Sequence, residues 1–127
     1  MGNTQKKLGD AELEIMQVIW DSGNPVTSNY ILKELQERRN WQLSTLMTSL
    51  TRLADKGFIS CDRSTGRNLY TSIISEDEYK TKASKHFLEK LYNNSIQNMI
   101  TALYNNKEIK NSDIEELRNF LDKLEDK

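Results

Sequence analysis

The sequence predicts a mainly α fold with one small β-hairpin, in two regions: a compact N-terminal domain over residues 1–74 and a helical domain over 75–127. Three observations carry this. All five glycines (2, 9, 23, 57 and 66) and the single proline, Pro25, fall in the first 66 residues, so the punctuated and unpunctuated parts must be built differently. Between Gly57 and Ser75 lie two β-prone runs parted by a polar turn containing Gly66. Elsewhere apolar residues recur at threes and fours, the helical period.

The first helix is "GDAELEIMQVIWD", residues 9–21, with Gly9 as a tolerated N-cap and Glu12 supplying half of a capping box. Its apolar face is Ile15, Met16, Ile19 and Trp20. Gly23 ends it, and "NPV" permits only a short extended piece before Thr27 caps a second helix reaching about Arg38, which buries Ile31, Leu32 and Leu35. The third helix lies in "WQLSTLMTSLTRLADKGFI", residues 41–59, with leucines at 43, 46, 50 and 53 and Gly57 closing it. "FISCDRSTGRNLYTSI" then reads as the hairpin.

From Ser75 onward the pattern is helical. "SEDEYKTKASKHFLEKLY" opens with S-x-x-E capping chemistry, and "SIQNMITALY" and "SDIEELRNFLDKLEDK" follow after breaks at Asn93–Asn94 and at residues 105–111. In the last helix Ile114, Leu117, Phe120, Leu121 and Leu124 form one face, and Ser112 with Glu115 offers a capping box.

The 127 residues suffice for a modest core, but a hydrophobic fraction of 36% is low for a self-sufficient globule, so a partner is expected to complete the apolar surface. One cysteine, Cys61, excludes an internal disulfide framework and fits a reducing compartment. Lys6 and Lys7 lead into an amphipathic segment instead of a signal-peptide core, and no run approaches the roughly 18 apolar residues of a membrane span. A cytoplasmic location without membrane insertion is the expectation.

The third helix carries the functional signal. Its three β-branched residues, Thr45, Thr48 and Thr51, cost up to about 2 kcal/mol of helix propensity relative to alanine. At about 100° per residue, Leu46, Leu50 and Leu53 cluster on one side and Ser44, Thr45, Thr48, Thr51, Arg52 and Asp55 on the other. Short hydroxyl side chains on an outer face make sense where something bulky approaches the helix backbone, as the walls of a DNA major groove do. Charge agrees: residues 38–67 hold six basic side chains (Arg38, Arg39, Arg52, Lys56, Arg63, Arg67) against two acids, whereas residues 76–127 hold nine basic against eleven acidic. Three helices and a hairpin with arginines at its tip is the chain order of a winged helix. The expected assignment is base reading by Ser44, Thr45, Thr48 and Arg52, with phosphate contacts by Arg63, Arg67 and the helix start. Met47, on the flank of the face, either meets thymine methyls or extends the core, the core being favoured.

Three stretches, "LGDAELEIMQVIWDSGNPVTSNYILKEL", W-x3-T-x2-T-x2-TRL-x2-KGFI from Trp41 to Ile59, and "LYTSIISEDEY", together with "IEELRNFLDKL", resemble the BlaI/MecI/CopY family of bacterial transcriptional repressors, also called penicillinase repressors. The resemblance spans nearly the whole chain. It implies a homodimer whose winged helices each read half of a palindromic double-stranded DNA operator, joined by the C-terminal helices. In that reading Leu91, Ile96, Met99, Ile100, Leu103, Ile114, Leu117 and Leu121 form the dimer interface. Thr45, Thr48, Thr51 and Arg52 stand at the family's recognition-helix Thr, Thr, Thr and Arg, while Ser44 and Met47 replace the lysine and arginine of staphylococcal-type members and Leu43 replaces a proline. In β-lactam-responsive members a membrane-bound sensor protease triggers cleavage in the dimerisation helices. The matching bond here is Ala102–Leu103, where members typically show Asn-Phe. The copper-responsive branch ends in a C-x-C-x4-C-x-C tail with no counterpart in "FLDKLEDK", so copper sensing by that device is not expected.

Other chemistry has little support. His86 is the only histidine and reads as a surface residue, and Cys61 reads as a small packed hydrophobe. No phosphate loop, G-x-S-x-G or H-E-x-x-H is present, so neither an enzyme nor a cofactor is expected. Three rivals remain: a winged-helix protein-interaction module, a repressor responding to another signal, and an enzyme built around Cys61.

Overall fold

In the computed structural model, which describes residues 7–125, α1 (Asp10–Ser22) starts at Gly9, whose N–H donates to Glu12 Oε1 at 3.1 Å. The helix stops at Gly23, whose left-handed φ of 70° a side chain would strain. β1 (Val26–Thr27) follows, and Thr27 Oγ1 accepts the Tyr30 N–H at 3.2 Å to cap α2 (Ser28–Gln36). α2 ends before the expected Arg38 because the Arg38 and Arg39 N–H groups both turn back to the Leu35 carbonyl. α3 (Leu43–Asp55) leads through Gly57 into β2 (Ile59–Asp62) and β3 (Leu69–Ser72).

The predicted hairpin is part of a three-stranded antiparallel sheet in the order β1-β3-β2. Tyr70 pairs with Cys61 on one side and Val26 on the other, so the short extended piece after Pro25 becomes an edge strand. At the hairpin tip the Gly66 N–H donates to the Arg63 carbonyl, and φ of 86° at Gly66 makes the reversal.

The chain divides into two compact units, one ending at Ala83 and one beginning at Ser84. The first unit has a continuous core of Ile15, Met16, Ile31, Leu35, Leu46, Leu50, Leu53 and Phe58, all at most 1% exposed. It runs past the expected limit at residue 74 because Tyr79, in α4 (Glu76–Tyr92), is buried there, edge-on to Phe58, with its hydroxyl accepting the Leu8 N–H at 3.0 Å. Trp20 anchors the same side by donating to Ser72 Oγ and the Ile74 carbonyl, each at 3.0 Å.

In the second unit the end of α4 is followed by α5 (Ile96–Asn105) and α6 (Asn111–Glu125). Asn93 and Asn94 take left-handed φ values of 54° and 68°, where asparagine is tolerated, and Ser95 caps α5 through the Asn98 N–H. α6 begins earlier than expected. Asp113 accepts the Lys110 N–H at 2.8 Å, so the observed half of a capping box lies two residues upstream of Ser112 and Glu115, and Glu115 pairs with Arg118 instead. None of the described residues of this unit is buried.

Candidate nucleic-acid interface

The sequence of α3 divides its surface cleanly. Leu46, Leu50 and Leu53 are 0–1% exposed, which at roughly 1.5–3 kcal/mol per buried leucine more than offsets the propensity cost of the threonines. Ser44, Thr45, Thr48, Thr51 and Arg52 are exposed on the other face. Met47 is half-buried against the core. Leu43 does not join the leucine face: it is 47% exposed, because it occupies the first helical turn beyond the packed layer.

Two of the three threonines turn their hydroxyl hydrogens inward. Thr48 Oγ1 donates to the Ser44 carbonyl and Thr51 Oγ1 to the Met47 carbonyl, both at 3.1 Å. Their hydroxyls are thereby left as acceptors. At the start of α3 the N-cap residue, Gln42, supplies no side-chain hydrogen bond, so the first-turn N–H groups are uncapped from within, a geometry suited to an anion.

α1 grips both ends of this helix. At the entry, Glu14 accepts from the Arg39 guanidinium and from Trp41 Nε1, the latter at 3.2 Å, while Arg39 stacks 5.9 Å from the Trp41 ring centroid. At the exit, Lys56 Nζ reaches Glu12 Oε2 at 2.8 Å and Oε1 at 3.0 Å. The hydrogen bonds from Arg39 hold the Glu14 carboxyl below its ordinary pKa. Burial raises that of Glu12, but Lys56 and the Gly9 N–H outweigh it, so the net shift is also downward.

These pairs revise the charge map. Arg39 and Lys56, two of the six basic residues counted along residues 38–67, are neutralised by acids from α1, an element outside that window. Arg52, Arg63 and Arg67 are exposed and join none of the ion pairs among the described residues. Asp62 turns its carboxylate to the Ser64 N–H at 2.9 Å, which lowers its pKa and spends the acid on shaping the hairpin tip.

The sequence places the start of α2 but gives no sign that it lies beside the hairpin tip. Thr27, Ser28 and Asn29 line a polar cleft with Gly66, Arg67 and Asn68 of the hairpin tip. That cleft exists because Thr27 pairs with Leu69 across β1 and β3, a long-range register with no local signature. Cys61 is half-buried against the core, and His86 is exposed on α4. No described helix is long and apolar enough to cross a membrane.

An exposed third helix beside an arginine-tipped hairpin defines a winged-helix module of the helix-turn-helix class, here followed by C-terminal helices. The sequence profile described as penicillinase repressor matches residues 8–123, and the chain belongs to that family. It is 35% identical to the penicillinase repressor of Staphylococcus aureus, with all of both chains covered. To the methicillin resistance regulatory protein MecI of Mammaliicoccus sciuri it is 33% identical, over 97% of this chain and 99% of the relative. Among solved structures, the Bacillus licheniformis BlaI monomeric form in complex with the blaP half-operator is similar at TM-score 0.51 and 35% identity, covering 58% of this chain and 89% of that one.

Proposed function

We propose that this protein is a homodimeric transcriptional repressor that binds a palindromic operator in double-stranded DNA, each protomer laying α3 in the major groove of one half-site. The observation that carries the reading is the two-sidedness of α3. One side is sealed by Leu46, Leu50 and Leu53, while Ser44, Thr45, Thr48, Thr51 and Arg52 stand open between uncommitted arginines. A related winged helix has been solved with a half-operator, which supports the same use of this face. Arg63, Arg67 and the first-turn N–H groups of α3 serve as phosphate contacts. Ser44, Thr45, Thr48 and Arg52 face the base edges, with Met47 at the margin.

Dimerisation is assigned to the second unit, within residues 75–127. Leu91 and Ile96 are 64% and 58% exposed, Leu121 is 48% exposed, and Met99, Ile100, Leu103, Ile114 and Leu117 are only half-buried. Helices of this length hold their order through tertiary burial, which here has to come from a second copy. Relief of repression follows a membrane sensor protease whose signal leads to a cut at Ala102–Leu103. The Ala102 carbonyl accepts from the Asn106 N–H and side-chain amide, so the cut requires the last turn of α5 to open first. A repressor has no need of catalytic chemistry, and Cys61 is assigned a packing role.

Binding of the full chain to the DNA upstream of its own coding sequence, measured across salt concentrations, tests the central claim. Specific retention with a steep negative salt slope is expected; equal affinity for random DNA would leave the protein-interaction reading in its place.

A further inference from the structure

We infer that α3 selects its half-site partly by packing an apolar row, Leu43, Met47 and Thr51, against thymine 5-methyl groups in the major groove; this rests on the DNA-binding reading above. The three residues are four apart, so their side chains follow one another along the helix surface. Leu43 leads the row, is 47% exposed, and is not among the described hydrophobic residues packed against the buried core. Met47 spends part of its surface on the core and continues the row with the rest. Thr51 closes it: its hydroxyl hydrogen is held by the Met47 carbonyl at 3.1 Å, leaving a methyl and an acceptor oxygen for a ligand. In the neighbouring row Thr48 is committed in the same way to Ser44.

With the Thr51 hydroxyl hydrogen committed, this row offers no free donor to guanine, which presents two acceptors in the major groove. Thymine alone among the four bases presents a methyl there. Cytosine at the same place would put its amino group against Leu43 with no acceptor to receive it, a desolvation cost without compensation. Arg52, exposed toward the far end of α3, remains as the one long donor and is the candidate for a guanine. The row therefore favours a thymine-rich segment read by its N-terminal half, beside a position read by Arg52.

The full-length protein is used to select duplexes from a random-sequence pool. The enriched half-site is resynthesised with each thymine replaced in turn by deoxyuracil, which lacks only the methyl. At one or more thymines the replacement is expected to weaken binding about fourfold, the value of one buried methyl. In Leu43→Ala or Met47→Ala that penalty should vanish at the matching thymine while others persist. Two results overturn the inference alone: a selected half-site whose thymines are all replaceable without loss, or a penalty of unchanged size in both variants. A pool that yields no enriched sequence overturns the inference together with the DNA-binding reading beneath it.

Discussion

Glu12 and Glu14, two residues apart on α1, hold opposite ends of α3: Glu12 takes the Lys56 ammonium at its exit, and Glu14 takes Arg39 and Trp41 at its entry. The helix proposed to enter the groove is thus tied at both ends to one element, α1. Orientation of a reading helix is worth as much as its contacts, because a small misplacement loses every base-edge hydrogen bond at once.

The pinning is pH-dependent. Glu12 has a folded-state pKa below its ordinary 4.5, so its contribution is complete above the ordinary value and is lost as pH falls through the lowered one. Glu14 acts in the same direction, and because Arg39 is half exposed its share is screened by salt. Urea midpoints measured from neutral pH down into the carboxylate range should therefore fall more steeply for the wild type than for Glu12→Gln. Parallel curves would show that the carboxylate is not what ties α1 to α3.

Arginine and lysine residues near α3 separate into two groups by partner. Arg67, exposed beside the polar cleft, is assigned to phosphate, so Arg67→Ala should weaken binding to all sequences and reduce the salt slope by about 1. Lys56 is already paired with Glu12, so Lys56→Ala should lower the melting temperature and leave the slope unchanged. Titrations at several salt concentrations distinguish the two, and identical slopes for both variants would undo the division.

Thr48 offers a methyl and an acceptor, not a donor. Thr48→Val retains the shape and removes the acceptor. Affinity for phosphate-dominated random DNA should hold within about twofold, while preference at particular base pairs shifts, as read from competition with half-site variants.

Leu103 sits half-buried in α5, in the proposed dimer interface. Leu103→Glu places a charge where an apolar contact is needed and should shift the protein from dimer to monomer in sedimentation equilibrium. Full-operator affinity should drop by a factor of 100 or more through lost avidity, with half-site binding retained. A variant that stays dimeric would locate the interface elsewhere.

Much of this arrangement is legible in local sequence. Gly23 and Gly57 stop helices through left-handed backbone, Thr27 and Ser95 cap them, and the leucine spacing of α3 separates a packed from an open side. What escaped is long-range. Lys56 carries no sign that Glu12 awaits it across 44 positions, so a charge count along the chain overstated the basic patch. Val26 and Thr27 are too few to announce a strand and become one only because β3 offers them an edge. Leu43 matched the helical period but lies beyond the layer that could bury it. The α6 cap slid to Lys110 and Asp113 because two overlapping three-residue spacings were available, and sequence does not rank them.

No described residue after Ala83 is buried, whereas the winged helix encloses a core of its own. The two parts answer to different variables. The N-terminal part should melt at a temperature set by its composition alone, while the helices that follow gain order by mass action, so their transition climbs with protein concentration. The amount of repressor in a cell then sets two quantities together: how many operators are occupied, and how much of the polypeptide is ordered enough to escape a protease.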